Sequence, residues 1–138
     1  MEVQVLSRHE MPITCEDDIV LVRRKVRALA TARGFDGFAT TAVTTATSEI
    51  ARNVWVHGGG GRATIEEVAL DGRIGLRLEF RDDGPGIADI ARVLRGGYST
   101  AHSLGLGVSG SGKLVDEFEI ASPPGDGAIV RMLKWARF

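Results

Sequence analysis

Apolar and polar residues alternate at residues 3–5, and this pattern predicts a short first strand that ends before Met11. Apolar residues then recur at helical spacing, which predicts a helix that begins at a Thr14 capping box and ends at Gly34. A basic run at residues 23–27 lies mostly off the apolar stripe of this helix. We interpret that run as a solvated face, with a dedicated patch for a partner as the alternative.

A second helix is predicted over residues 38–56, with glycines 58–61 ending it. Two predicted strands follow, at 65–70 and 74–80, and the Asp71-Gly72 pair between them is a favoured hairpin turn. This region therefore predicts a helix followed by a β-hairpin.

The last third of the chain predicts a short helix near Ile87, a helix opening near residues 105–107, and strands at 117–121 and 128–135. Helices and strands come in runs and do not alternate regularly. This order favours an α+β two-layer sandwich over a doubly wound sheet.

Composition predicts one domain spanning residues 1–138, since 43% hydrophobic content is enough for one core. The 17 basic and 18 acidic residues nearly cancel, so the net charge gives no general attraction for nucleic acid or an anionic membrane. A single cysteine, Cys15, excludes an internal disulfide, and neither a signal peptide nor a membrane-spanning run is evident. We expect a cytoplasmic protein.

The segment Asp82-Asp83-Gly84-Pro85-Gly86-Ile87 follows directly on the predicted strand 74–80. Its carboxylate lies where ligands usually dock, and glycines allow a flat or phosphorylated ligand to approach the backbone. Glycine, proline and aspartate are also the residues that any tight turn recruits. Taken alone, the segment is either a binding loop or a connection.

Glu49 and Asn53 are four residues apart in the second predicted helix, so they stack on one side at the border of its apolar stripe. An asparagine oxygen is a suitable ligand for Mg²⁺, and a glutamate can deprotonate a nucleophile. The alternative is that both are ordinary solvated residues of a helix flank.

The segment Leu104-Gly105-Leu106-Gly107 precedes a predicted helix, and free amides with the positive end of the helix dipole favour phosphate there. A rival P-loop at residues 107–113 fails at its eighth position, because Leu114 replaces the hydroxyl that should bind magnesium. Lys113 is either a phosphate contact or a solvent-facing lysine.

Together, residues 48–53, 82–87 and 104–107 stand in the order and spacing of the nucleotide-binding boxes of the GHKL superfamily. The chain resembles a Bergerat-fold ATPase from about Val3 to Trp135, closest to the small bacterial serine kinases of partner-switching modules. The resemblance implies a two-layer α/β sandwich in which helices cover one face of a mixed sheet.

The resemblance also implies roles for individual residues. Asn53 would coordinate Mg²⁺ that bridges the phosphates of ATP, Glu49 would be the general base, and Asp82 would accept the adenine amino group. The remaining predicted nucleotide contacts are Gly84, Gly86 and Ile87 around adenine, and Gly105, Leu106 and Gly107 at the phosphates, beneath a lid at 95–102. Two departures from the family pattern are Ser103, in the lid's glycine run, and Ala128, where a threonine near adenine is common.

By the same resemblance, the expected function is that of an ATP- and Mg²⁺-dependent protein serine/threonine kinase. Its substrate would be a STAS-domain antagonist or scaffold in a bacterial stress or sigma-factor pathway, with a sigma factor or a downstream phosphatase as further partners. The alternatives are an anti-sigma factor that mainly sequesters a sigma subunit, a nucleotide-binding scaffold without turnover, and a histidine-kinase catalytic domain.

Overall fold

A computed structural model of the chain describes residues 3–82, 114–121 and 127–136. The elements in chain order are β1 (Gln4–Ile13), α1 (Glu16–Ala32), α2 (Gly37–Val56), β2 (Gly61–Leu70), β3 (Arg73–Asp82), β4 (Glu117–Ala121) and β5 (Ile129–Trp135). The predicted α+β class is confirmed.

The strands form one sheet in the order β1-β2-β3-β5-β4, and every pairing between the described strands is antiparallel. The expectation of a mixed sheet is therefore wrong for this part of the chain. Ile13, which ends β1, is paired with Gly61, which begins β2. The two helices between them return the chain to the end of the sheet that it left, and this makes the neighbouring strands antiparallel.

The local signals at the turns are mostly confirmed. Asp71 and Gly72 both have positive φ, as a two-residue primed hairpin turn requires.

The first strand is longer than predicted, because β1 lies at the sheet edge, where a proline such as Pro12 is tolerated. The Thr14 capping box is wrong in detail: Cys15 is the N-cap of α1, and Asp18 Oδ2 accepts hydrogen bonds from Thr14 N and Oγ1 at 2.8 and 3.0 Å.

Both helices pack on the same face of the sheet. The residues of the main core from the helices and the facing sheet side include Val22, Val26, Val43, Ala46, Ile50, Ile65, Leu78, Phe80 and Met132. The opposite face carries ion pairs between strands, such as Arg77 with Glu66 at 2.8 Å. No described helix combines the length and apolar character that a bilayer crossing requires.

A buried ion pair joins the end of α1 to the sheet. Glu67 on β2 is 8% exposed and accepts hydrogen bonds from Arg33 Nε, at 2.8 Å, and from Ser7 Oγ on β1. The hydrogen bond from Arg33 is the main cause that lowers the pKa of the Glu67 carboxyl, and it outweighs the opposing effect of burial. The helical layer is thus held to the sheet by charge as well as by apolar contact.

Candidate functional site

Asp82 is the last residue of β3 and is only 7% exposed. Its backbone pairs in register with Gly61, and its N–H donates to Ala128 O at 3.1 Å. These contacts with β2 and with the residue before β5 fix the Asp82 backbone from two sides. The strand end therefore holds a carboxylate in a nearly dry position with a defined orientation.

Two glycines approach Asp82 more closely than any other residue type could. A Cβ at Gly58, just after α2, would lie 2.4 Å from Asp82 Cβ, and one at Gly127 would lie 2.6 Å from Asp82 Oδ1. Both distances are far below van der Waals contact. From the sequence, Gly58 was expected only to end a helix, and the close approach of both glycines to Asp82 was not predicted. We call these two residues the glycine cradle. The concentration of glycines at 58–61 was the available signal.

A narrow cleft beside Asp82 brings two of the predicted site residues together. Its lining comprises Ile50, Asn53, Val54, Phe80, Asp82, Ala128 and Val130. Nδ2 of Asn53 is buried there without a hydrogen-bond partner among the described residues. A buried amide left in this state costs free energy, so the cleft is suited to a polar ligand that would satisfy it. The cleft combines apolar walls with a carboxylate and an amide, a combination that is common in ligand sites.

Hydrogen bonds at both ends of α2 help to position Asn53 in this cleft. Asp36 caps the helix by accepting a hydrogen bond from Ala39 N at 2.7 Å. At the other end, Asn53 O accepts from His57 N and Gly58 N at 2.9 and 3.1 Å. The Asn53 backbone thus helps to end the helix beside the glycine cradle, while its side chain lines the cleft.

Glu49 lies one helical turn before Asn53 but does not line the same cleft. It lines a groove between α1 and α2, together with Ser48 and three arginines of α1. The structure therefore places the predicted base in a different space from Asn53 and Asp82.

The other predicted nucleotide contacts lie outside the described residues. These are Gly84, Gly86, Ile87, Gly105, Leu106 and Gly107, together with the predicted lid and Ser103. Ala128, the second departure from the family pattern, lies in the cleft beside Asp82. Within the described ranges, histidine, cysteine, aspartate and glutamate form no group of three that could hold a metal ion.

Comparisons with known proteins give a family and several relatives. The family model of the histidine kinase-like ATPase domain matches residues 11–134. The chain is 42% identical over 125 residues to the serine/threonine-protein kinase RsbT of Bacillus subtilis (strain 168), covering 91% of this chain and 94% of the relative. It is 32% identical over 99 residues to an anti-sigma F factor of Caldanaerobacter subterraneus subsp. tengcongensis, covering 67% and 68% of the two chains. It is also 31% identical over 97 residues to an anti-sigma F factor of Thermoanaerobacter sp. (strain X514), again covering 67% and 68%.

These matches confirm the predicted superfamily and the predicted enzyme class of a serine/threonine-protein kinase. They also confirm that anti-sigma factors are among the relatives of this chain. On the strength of the family model and the identities, the chain belongs to the histidine kinase-like ATPase domain family.

Proposed function

We propose that the chain transfers the γ-phosphoryl group of ATP to a serine or threonine of a STAS-domain antagonist or scaffold in a bacterial partner-switching pathway. The observation that carries this proposal is the placement of Asn53 and Asp82 in one cleft, with Glu49 one turn away in an open groove. In this proposal, nucleotide binds on the side of Asn53 and Asp82, and the protein hydroxyl approaches through the groove of Glu49. The 42% identity to a serine/threonine-protein kinase supports the same reaction.

Asp82 is the proposed acceptor for the adenine amino group. Its low exposure makes this hydrogen bond a charge-assisted one in a dry environment. A base without a donor at that position, such as guanine, would leave the carboxylate facing an acceptor and would bind poorly. The cleft therefore favours ATP over GTP.

Glu49 is the proposed general base. It would take the proton of the substrate hydroxyl as that oxygen forms a bond to the γ-phosphorus and the bond from phosphorus to ADP breaks. When bound, Mg²⁺ supplies neutralisation of the phosphate charge. Asn53 would hold the ion through its side-chain oxygen. Its buried Nδ2 is a donor and would be available to a phosphate oxygen. Six predicted glycine, leucine and isoleucine contacts outside the described residues complete the proposed ATP site.

The direct test combines the full chain with radiolabelled ATP, Mg²⁺ and a panel of STAS-domain proteins and sigma factors, with transfer and stable binding scored separately. We expect label on a serine or threonine of a STAS protein. Absence of transfer to every STAS protein, in a sample that binds ATP, would contradict the kinase proposal. Chelation of the metal should abolish transfer, because the phosphate charge is then left unneutralised.

Glu49→Gln tests the base, since it keeps the size and hydrogen-bonding reach of the side chain but removes its proton affinity. Transfer should fall by about two to four orders of magnitude, while ATP binding stays unchanged. Glu16→Gln is the matched control, because Glu16 is an exposed glutamate at the start of α1. Full activity of Glu49→Gln would remove Glu49 from the mechanism.

Asp82→Asn tests the adenine contact with little change in volume. Loss of the charged acceptor should weaken ATP binding by roughly tenfold or more. Asp71→Asn, in the exposed turn between β2 and β3, is the matched control, because asparagine is also accepted at positive φ. Equal ATP affinity for the Asp82 variant and the control would refute the assignment.

A second candidate function is sequestration of a sigma subunit, in which phosphorylation of an antagonist serves to release it. The matches to anti-sigma F factors favour it. Both functions use the same proposed ATP site, so kinase assays alone do not separate them. Co-purification of a sigma factor in the presence of ATP would support sequestration, and transfer to a STAS protein without sigma binding would support the kinase as the main activity.

A further inference from the structure

The outer side of the helical layer carries an open groove of about 540 Å³ between α1 and α2. We call it the arginine groove, and its lining residues are Arg23, Arg24, Arg27, Thr41, Thr44, Thr45, Ser48 and Glu49. The proposed base thus shares its surroundings with three guanidinium groups. The basic run at residues 23–27 was expected to be a solvated face, and its three arginines are exposed in this groove.

Within the described residues the three groove arginines form no ion pair, unlike Arg33 at the end of α1 and two arginines of the sheet. Arg33, Arg77 and Arg131 each contact a glutamate oxygen at 3.1 Å or less. The groove arginines are exposed and line the groove together with hydroxyl-bearing residues of α2. Guanidinium groups are donors only, so their unused capacity selects carboxylates or phosphates. Glu49 is the sole acidic residue of the lining, which leaves the groove with a net positive charge.

An acidic polypeptide fits this groove better than a nucleotide does. The cleft of Asn53 and Asp82 has a different lining, and the three arginines are not part of it. The α2 side offers hydroxyls, among them Ser48 Oγ, which donates to Thr44 O at 3.1 Å and keeps its lone pairs for peptide N–H groups. The hydroxyls can bind the peptide backbone of an acidic segment, and the neighbouring guanidinium groups can bind its carboxylates.

The dimensions of the groove match a short extended segment. Its α2 lining runs from Thr41 to Glu49, a rise of about 12 Å along the helix axis. An extended chain covers that length in about four residues. One end of such a segment would lie beside Glu49, where the proposed phosphoryl transfer needs a hydroxyl.

We propose that the arginine groove docks an acidic segment of the protein substrate and brings the adjoining serine or threonine hydroxyl to Glu49. This inference rests on the proposed kinase function and adds the chemistry by which the substrate is recognised. Arg23, Arg24 and Arg27 are binding residues in this account and take no part in the transfer itself.

The test uses the double variant Arg23→Gln/Arg27→Gln with a STAS protein that the wild-type chain phosphorylates. We expect KM for this protein to rise by roughly tenfold or more, with kcat within about twofold and ATP affinity unchanged. Lys25→Gln/Arg62→Gln is the matched control, because it removes the same charge at positions that do not line the groove. An unchanged KM in the double variant, or an equal rise in the control, would overturn the proposal.

Salt dependence of the wild-type chain provides a measurement that needs no variant. Docking through guanidinium and carboxylate groups should make KM rise steeply between about 0.05 and about 0.5 M salt, while the ATP affinity changes less. If the double variant fails to fold by circular dichroism, Arg24→Gln and this salt series carry the test. A flat KM across the series would overturn the proposal.

A peptide experiment separates this inference from the proposed function. Labelled Glu-Glu-Ser-Glu-Glu and Gln-Gln-Ser-Gln-Gln peptides are titrated by fluorescence anisotropy, so no turnover is required. Binding of the acidic peptide alone, weakened in the groove variant, supports docking even if every STAS protein fails as a substrate. Transfer to a STAS protein with equal binding of both peptides, or with no binding of either, would uphold the kinase and refute the groove.

Discussion

Substitution of Gly127 by alanine tests whether the glycine cradle sets the position of Asp82. Gly127 has a φ of +72°, and an added Cβ would lie 2.5 Å from Asp82 O and 2.6 Å from Asp82 Oδ1. Normal contact requires a separation nearer to about 3.5 Å, so one of the two residues must move by roughly an ångström. The Asp82 backbone is held by its register with Gly61 and its bond to Ala128 O, so the side chain of Asp82 must give way as well.

Gly72→Ala is the matched control for the backbone cost. Gly72 has a φ of +80° in the turn between β2 and β3, and an added Cβ there meets nothing within 4 Å. The control should therefore lose only the cost of placing alanine in the left-handed region, about 1–2 kcal/mol of the free energy of unfolding. Gly127→Ala pays a similar backbone cost and adds about 1–3 kcal/mol for the overpacked contact. The difference between the two variants isolates the clash with Asp82.

The assay has two readouts for each variant. Urea unfolding followed by circular dichroism gives the free energy of unfolding, and calorimetric titration with a non-hydrolysable ATP analogue and Mg²⁺ gives the affinity. Gly72→Ala should keep the wild-type affinity. Gly127→Ala should lose roughly tenfold or more, because the carboxylate that accepts the adenine amino group is displaced by about an ångström.

Two results would refute this reasoning. If Gly127→Ala were as stable as Gly72→Ala, the close approach of Gly127 to Asp82 would have no energetic weight. If it were less stable but bound ATP normally, the cradle would matter for folding and Asp82 would not be the adenine acceptor. Titrations must be made at a temperature where both variants are folded, since loss of native protein lowers apparent affinity.

Three further perturbations have expected outcomes. Asp36→Ala removes the side-chain cap on Ala39 N and should lower the free energy of unfolding in urea by about 1 kcal/mol. An unchanged free energy would show that the cap does not stabilise the fold. Because the pKa of Glu67 is lowered by folding, its ionised carboxylate stabilises the fold above the unfolded pKa of about 4.3, and this stabilisation is lost as pH falls through the folded pKa. Arg33→Gln should therefore make the free energy of unfolding less sensitive to acid. An unchanged pH profile would contradict this expectation. Ala128→Thr adds a hydroxyl to the cleft and should tighten ATP binding by about two- to tenfold in calorimetry, whereas a weaker affinity would refute it.

The secondary structure followed from local chemistry that the sequence displays directly. Helical spacing of apolar residues predicted α1 and α2, and Asp71 with Gly72 predicted the hairpin, because these signals depend on neighbours in the chain. Strand direction did not follow from these local signals. The sheet was expected to be mixed, and the described strands are antiparallel because two helices return the chain to the same end of the sheet.

The sequence by itself determined the residue types of the site and their order, and these indicated the family. It also determined that Glu49 and Asn53 share one side of a helix, because this follows from the helical repeat alone. Only the tertiary structure decided which of them meets Asp82, since that depends on how α2 packs on the sheet. It placed Asn53 in the cleft and Glu49 in the arginine groove. It also set Gly58 and Gly127 against Asp82, contacts between distant parts of the chain that no local pattern encodes.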